Sequence, residues 1–314
     1  MNAPRENAPS AWAGLWLPLV TPLRDGYVDI AAMQALARRY AQAGVSGFVL
    51  FGSTGEGNLI SIKEKFLACD AVRSAAPHLP VVLGVGGVEP MGVFQTIRKL
   101  ERLQPAGWLV PPPYYLRPAP DGIVWHYRQI AWATRLPVII YDVAKRTGTQ
   151  LSIELIEYLC AHTTCVAVKE CDALALAALN ARQKLPGLCG EDTLFLDHFL
   201  QGGTGAMAAA AHVRPDIFMA VMALARAGHH DVAQTLFATL KPVIRLLYQE
   251  PNPGPIKKYL ASAGLIADEL RLPMTPASEG LASRLKQAIA KLPAEHEVAG
   301  LVSVAGQRAD ARSG

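Results

Sequence analysis

No apolar run in this sequence reaches the ~18 residues that a membrane-spanning helix requires. The first ten residues also lack the apolar core of a secretory signal, so none is expected. Cysteine is scarce: five in 314 residues, at Cys69, Cys160, Cys165, Cys171 and Cys189, with no Cys-x-x-Cys pair. An odd set without framework spacing, each in or beside an apolar segment, argues against a disulfide scaffold. It predicts buried free thiols and a reducing, cytoplasmic setting. The eight histidines form no His-x-x-x-His or His/Cys cluster, so no metal is expected. Charge is sparse too: 18% of residues are charged and the net value is +4. The basic residues are scattered rather than striped, which leaves no nucleic-acid footprint and gives no reason to expect a membrane partner. The first apolar strand is not followed by Gly-x-Gly-x-x-Gly, so a dinucleotide fold is disfavoured and no cofactor is expected.

What the sequence does carry is a repeat of short apolar strand, loop and amphipathic helix. Strands are predicted at 14–20, 47–50, 81–84, 107–110, 138–141, 166–169, 188–190 and 205–207. Asp29, Ser61, Asp121, Ser152 and Pro215 open helices between or after them, and Ser61-Ile62-Lys63-Glu64 has the form of a capping box. With 51% apolar residues the core can be large. Eight such units fit an α/β fold of the (β/α)8 TIM-barrel type, for which ~250 residues is typical. An open doubly wound sheet is the other arrangement the pattern permits. Beyond Gly228 the pattern turns all-helical, over about 230–249, 255–263 and 279–291, a C-terminal helical appendix packed on the barrel. The expected organisation is therefore a flexible terminus (1–10), the barrel (11–228), the helical region (229–293) and a loose tail (294–314).

In such a barrel, reactive groups stand at the C-terminal ends of the strands. Val166-Ala167-Val168 runs straight into Lys169. A lysine there is either a cation paired with a surface acid or an amine in short supply of water. Desolvation lowers an amine's pKa from ~10.4, and a neutral amine can attack a ketone to give a Schiff base. After the second strand comes Gly52-Ser53-Thr54-Gly55-Glu56-Gly57. It reads as an ordinary glycine-rich turn, or as a loop whose amides and hydroxyls face an anion. Glu56 beside the hydroxyls argues against phosphate and allows a smaller carboxylate. Tyr114 and Tyr115 follow the fourth strand, Tyr141 ends the fifth with Arg146 five residues on, and Gly190-Glu191-Asp192 follows the seventh. A tyrosine beside a neutral lysine can relay a proton, and an arginine fork suits a substrate carboxylate. Together these groups describe a class I lyase acting on a 2-oxo acid. Two alternatives stand beside it. One is a barrel that binds oxo acids without turning them over, which Lys169, Tyr141 and the Ser53 hydroxyl argue against. The other is a phosphosugar barrel, raised by Gly202-Gly203-Thr204-Gly205, although that run precedes its strand.

Several stretches resemble the dihydrodipicolinate synthase / N-acetylneuraminate lyase family. They are Gly52-Ser53-Thr54-Gly55-Glu56, Pro113-Tyr114-Tyr115, Tyr141 to Gly148 and Val168-Lys169-Glu170, with Leu19-Val20-Thr21-Pro22, Asn252-Pro253-Gly254-Pro255 and Leu272-Pro273-Met274-Thr275-Pro276. The matches run from about 14 to 280, and the 28-residue step from Tyr141 to Lys169 is also the family's. The resemblance implies a Schiff base on Lys169 with pyruvate or a related 2-oxo acid, and proton relay through Tyr141, Ser53 and Tyr115, the last reaching in from a neighbouring subunit. It implies that Gly52, Ser53 and Thr54 surround the pyruvate carboxylate, that Arg146 binds the carboxylate of the second substrate, and that Gly190 lines the site. It implies a homotetramer built as a dimer of dimers. The leading substrates are pyruvate and aspartate semialdehyde. The alternative is an aldolase or dehydratase of a sugar-derived or other 2-oxo acid. The chain departs from the family at Ser53, where threonine is usual, and at Asp142 and Ala144, where asparagine and proline are. Ile62 and Lys65 stand where lysine-inhibited synthases carry polar groups, so lysine feedback is not expected.

Overall fold

Local signals set most element boundaries. Ser61 accepts from the Glu64 amide while the Glu64 carboxylate accepts from the Ser61 amide, closing the predicted capping box. Asp29, Ser152 and Asp172 cap three further helices through their side chains. In the computed structural model, which describes residues 11–303, the strands are β1 (Gly14–Pro18), β2 (Gly47–Leu50), β3 (Val81–Gly84) and β4 (Gly107–Val110). They continue as β5 (Val138–Asp142), β6 (Cys165–Glu170), β7 (Gly187–Cys189) and β8 (Gly205–Met207). All pair in parallel with their sequence neighbours, and β1 also pairs with β8, which closes the barrel. The (β/α)8 expectation holds, and the open sheet is excluded.

The helices that follow β1 to β4 are α1 (Ile30–Gln42), α2 (Ile62–Ala75), α3 (Pro90–Leu100) and α4 (Pro120–Ala133). Those after β5 to β8 are α5 (Ile153–His162), α6 (Ala173–Arg182), α7 (Phe195–Leu200) and α8 (Pro215–Arg226). Then come α9 (His230–Leu247), α10 (Gly254–Ser262) and α11 (Glu279–Ile289). Residues 295–303 are again helical, with Val298 buried. The expected flexible start at 1–10 and the end of the expected tail lie outside the described residues. Among those residues, no helix is long and apolar enough to cross a membrane. Two small elements escaped the periodicity: a hairpin (Leu23–Arg24 with Tyr27–Val28) and a single helical turn, Ala144–Thr147. Each is too short to show a period.

Alternation along the strands splits the core in two. Trp16, Val49, Val82, Leu109, Ile139, Ala167, Leu188 and Met207, one from each strand, fill the barrel interior. Their strand neighbours, such as Ile140 and Val168, join the larger cluster between sheet and helices. One step of two above Ile139, Ala167 and Leu188 stand Tyr141, Lys169 and Gly190. The packed interior thus forms a floor, and the next inward layer is the floor of the mouth.

Candidate active site

Tyr141 and Lys169 are direct register partners on β5 and β6. The Lys169 Nζ lies 4.4 Å from the centroid of the Tyr141 ring, and the side chain is 6% exposed. Among the described residues Lys169 makes no salt bridge and no hydrogen bond, so the reading of a lysine tied to a surface acid does not apply. Gly190, after β7, holds the space beside it. A Cβ at 190 would lie 2.9 Å from both Cγ and Cε of Lys169 and 2.7 Å from Cys171 Sγ.

Above this floor is a cavity of about 340 Å³, lined by Gly52, Ser53, Tyr114, Tyr141, Arg146 and Asn252 among others. The loop after β2 folds back on itself. The amides of Gly55 and Gly57 are spent on the Gly52 carbonyl, and that of Glu56 on Ser53. The amides of Ser53 and Thr54 have no backbone partner among the described residues, so the anion-facing part of this loop is narrower than its glycines imply. Gly57 is required by close approach, since a Cβ there would stand 1.7 Å from the Phe51 carbonyl oxygen.

Glu56 does not face the hydroxyls as expected from its position. Its carboxylate is buried, accepts from the Arg271 amide at 2.9 Å and is ion-paired with the fully buried Lys257. The sequence argument against phosphate therefore loses its charge, because Lys257 neutralises it. Asn252 Nδ2 donates to the Thr54 hydroxyl at 3.1 Å, and Arg271 also holds Glu64 at the start of α2. The segment from Asn252 to Arg271, with α10 inside it, thus clamps the loop that carries Ser53 and Thr54.

Arg146 is exposed on the Ala144–Thr147 turn and lines the cavity. Gly148, at φ +74°, ends that turn, and Asp142 accepts from the Leu151 amide at 2.9 Å to close the segment. Tyr115 is not brought to the others. It is 85% exposed, at φ +72°, while its neighbour Tyr114 faces the cavity and accepts from Asn58 at 2.9 Å. Beyond β7, buried Asp192 accepts from the Tyr248 hydroxyl and the Ala210 amide, both at 2.7 Å. Burial pushes the Asp192 carboxyl up to about 6, and burial together with Asp192 raises the Tyr248 phenol well above its usual range.

The model of the dihydrodipicolinate synthetase family matches residues 11–292. The chain belongs to that family. As a member it is a pyruvate-dependent, class I aldolase-type lyase of the dihydrodipicolinate synthase kind. Among its relatives is 4-hydroxy-tetrahydrodipicolinate synthase 2 of Clostridium acetobutylicum, 33% identical over 285 residues, which cover 87% of this chain and 98% of that protein. Among solved structures, the chloride-inhibited dihydrodipicolinate synthase of Acinetobacter baumannii, complexed with pyruvate, is 29% identical at a TM-score of 0.84. That match covers 88% of this chain and 98% of the other. A monomeric dihydrodipicolinate synthase variant is 27% identical at a TM-score of 0.85, covering 89% and 96%.

Within this family fold, sequence reasoning missed the groups that act at a distance: Lys257 under Glu56, Tyr248 on Asp192, and Asn252 on Thr54. A buried lysine between Pro255 and Tyr259 was the one available signal, since Ile256-Lys257-Lys258 breaks an apolar helix face with a charge.

Proposed function

We propose that Lys169 forms the Schiff base and that the chain condenses pyruvate with aspartate semialdehyde, as a 4-hydroxy-tetrahydrodipicolinate synthase. The observation that carries this reading is the Lys169 amine, unpartnered among the described residues, set over the ring of the cavity-lining Tyr141 and kept clear by Gly190. The amine adds to the C2 carbonyl of pyruvate and the carbinolamine loses water, leaving an imine on Nζ. The Ser53 and Thr54 amides, which have no backbone partner among the described residues, and the Ser53 hydroxyl suit the pyruvate carboxylate, with the Thr54 hydroxyl held by Asn252 beside them. Loss of a C3 proton gives an enamine, whose C3 attacks the aldehyde carbon. The Tyr141 and Ser53 hydroxyls pass protons between the amine and the departing or forming oxygens. Arg146, at the rim, suits the carboxylate of the incoming aldehyde. Aspartate semialdehyde is a substrate typical of the family, and its carboxylate suits Arg146 apart from the pyruvate carboxylate at the loop after β2.

We assign Tyr115 to the cavity of a second copy. An aromatic left 85% exposed at a left-handed φ, beside Leu116 at 58% exposure, serves nothing in its own chain. This reading requires at least a dimer, and we further propose the dimer-of-dimers homotetramer and cytoplasmic setting that are consistent with the family. Sedimentation velocity tests it, and a monomer with full activity would remove the Tyr115 assignment.

Borohydride reduction with pyruvate, then peptide mass spectrometry, tests the chemistry. The expected result is a pyruvate-derived adduct on Lys169. An adduct formed only with a longer oxo acid would turn the reading to an aldolase or dehydratase of that acid. No adduct with any oxo acid would overturn it.

A further inference from the structure

Asp142 and Glu170 stand directly opposite each other at the ends of β5 and β6, one register step beyond Tyr141 and Lys169. Alternation turns them away from the mouth, toward the helix layer. Each is 1% exposed, and neither makes a salt bridge among the described residues. Each uses one oxygen to tie a loop. Asp142 Oδ2 accepts from the Leu151 amide, closing the segment that carries Arg146. Glu170 Oε1 accepts from the Cys171 amide at 2.8 Å and the Asp172 amide at 2.7 Å, fixing the turn that leaves β6. The other oxygens, Asp142 Oδ1 and Glu170 Oε2, are buried without any partner.

Among the described residues, no cation is paired with either carboxylate. From α4 comes Tyr127, whose hydroxyl is donated to the Val110 carbonyl, with Cys160 of α5 and Cys165 of β6 beyond it. From the turn after β6 come Cys171 and the anionic Asp172. The nearest amine, Lys169, projects to the opposite face. Two buried carboxylates side by side cannot both be ionised cheaply. A single proton eases the difficulty: it removes one of the two charges and turns one orphaned acceptor into a donor for the carboxylate that faces it across the register.

We propose that Asp142 and Glu170 share one proton, and that this proton locks the Arg146-bearing loop to the strand that carries Lys169. They are positioning residues, with no contact to the cavity. Burial and the neighbouring Asp142 push Glu170 up to about 7, and burial with Asp172 pushes Asp142 up to about 6. As pH rises above neutrality the shared proton leaves to water, two facing anions remain, and the loop from Val143 to Leu151 loosens.

The test compares the wild type with Asp142→Asn and Glu170→Gln, either of which supplies a permanent amide donor in place of the proton. The wild type should show a protonated-carboxyl carbonyl band near neutral pH that disappears in alkali and that each variant lacks. Hydrogen exchange at the Leu151 amide should rise in the wild type relative to either variant. The ratio should grow by up to about tenfold per pH unit, the limit for one linked proton. A carboxyl band unchanged in both variants, or an exchange ratio that ignores pH, would overturn the proposal. A third readout rests on the function proposed above: KM for the aldehyde substrate should climb with pH in the wild type and stay level in Asp142→Asn, with kcat much less affected. If the band and the exchange behave as expected but KM does not, the shared proton stands and the role given to Arg146 falls.

Discussion

Replacing Lys257 by methionine tests whether the C-terminal helices are fastened to the glycine-rich loop through a single buried charge pair. Lys257 is fully buried, paired with Glu56, and donates to the Glu269 carbonyl at 2.9 Å. Burial pulls its ammonium below the usual range, with Glu56 opposing that pull. Methionine fills the same channel but leaves the Glu56 carboxylate without its cation. Removing one partner of such a pair costs ~3–5 kcal/mol. At ~2.1 cal/mol/K per residue, 314 residues carry an unfolding entropy of about 0.66 kcal/mol/K, so ~4 kcal/mol lowers Tm by roughly 6 °C. The double variant Glu56→Gln/Lys257→Met removes both charges, and should recover more than half of that loss. Glu56→Gln alone strands the ammonium instead, and its cost should shrink as pH rises, because a deprotonated amine carries no charge. Scanning calorimetry of the four proteins measures the cycle. A Lys257→Met shift under about 1.5 °C, or a double variant as damaged as the sum of the singles, would refute the reasoning.

Gly190→Ala places a methyl 2.9 Å from Lys169 and should slow adduct formation with pyruvate by about 100-fold, the scale of a ~1 Å misplacement. Its fold should survive at a cost of ~1–3 kcal/mol, so a near-normal trapping rate in a folded variant would count against the crowding argument. Lys169→Ala should abolish trapping altogether; turnover at the wild-type rate would end the Schiff-base mechanism. Stability should be nearly flat from about pH 4.5 to 6, which equilibrium urea unfolding can follow. Asp142, Glu170 and Asp192 have raised pKa values, of about 6, 7 and 6, so their contribution falls as pH rises above the ordinary carboxyl value. His126, His198 and His212 are lowered by burial to about 4, so theirs rises with pH up to the ordinary imidazole value. Removing one acid, as in Asp142→Asn, should tilt the profile upward by up to ~1.4 kcal/mol per pH unit; an unchanged slope would contradict the raised acid.

The barrel was legible because its strands are short apolar runs separated by capping residues, and four strands match their expected limits to the residue. The strands at the heart of the site were underestimated. β5 and β6 were expected to stop at Tyr141 and Lys169, where the next residue is acidic. They continue through Asp142 and Glu170 because backbone amides take up those carboxylates. Lys169, Tyr141, Ser53, Arg146 and Gly190 are legible as groups following strands; the structure sets Lys169 against Tyr141 and Gly190, and lines one cavity with Tyr141, Ser53 and Arg146. What stayed hidden depends on contacts across the chain. Nothing near Glu56 in sequence announces Lys257, and nothing near Asp192 announces Tyr248. Tyr115 was named for a role outside its own chain, and only its exposure and backbone are visible within one chain.

The fastening of the first loop by the last helices has a consequence for birth order. Synthesis delivers the barrel strands first, and domains begin to fold as they emerge. Yet Thr54 waits for Asn252, Glu56 for Lys257 and Arg271, and Glu64 for Arg271, partners separated by 198 to 215 positions. A nascent chain halted before residue 250 would have all eight strands, Lys169 and Tyr141, but an unpinned loop after β2. Lys169 is therefore present on the ribosome well before the loop after β2 is held in its final place. The mouth of the barrel is thus completed only once the last fifth of the chain has been made.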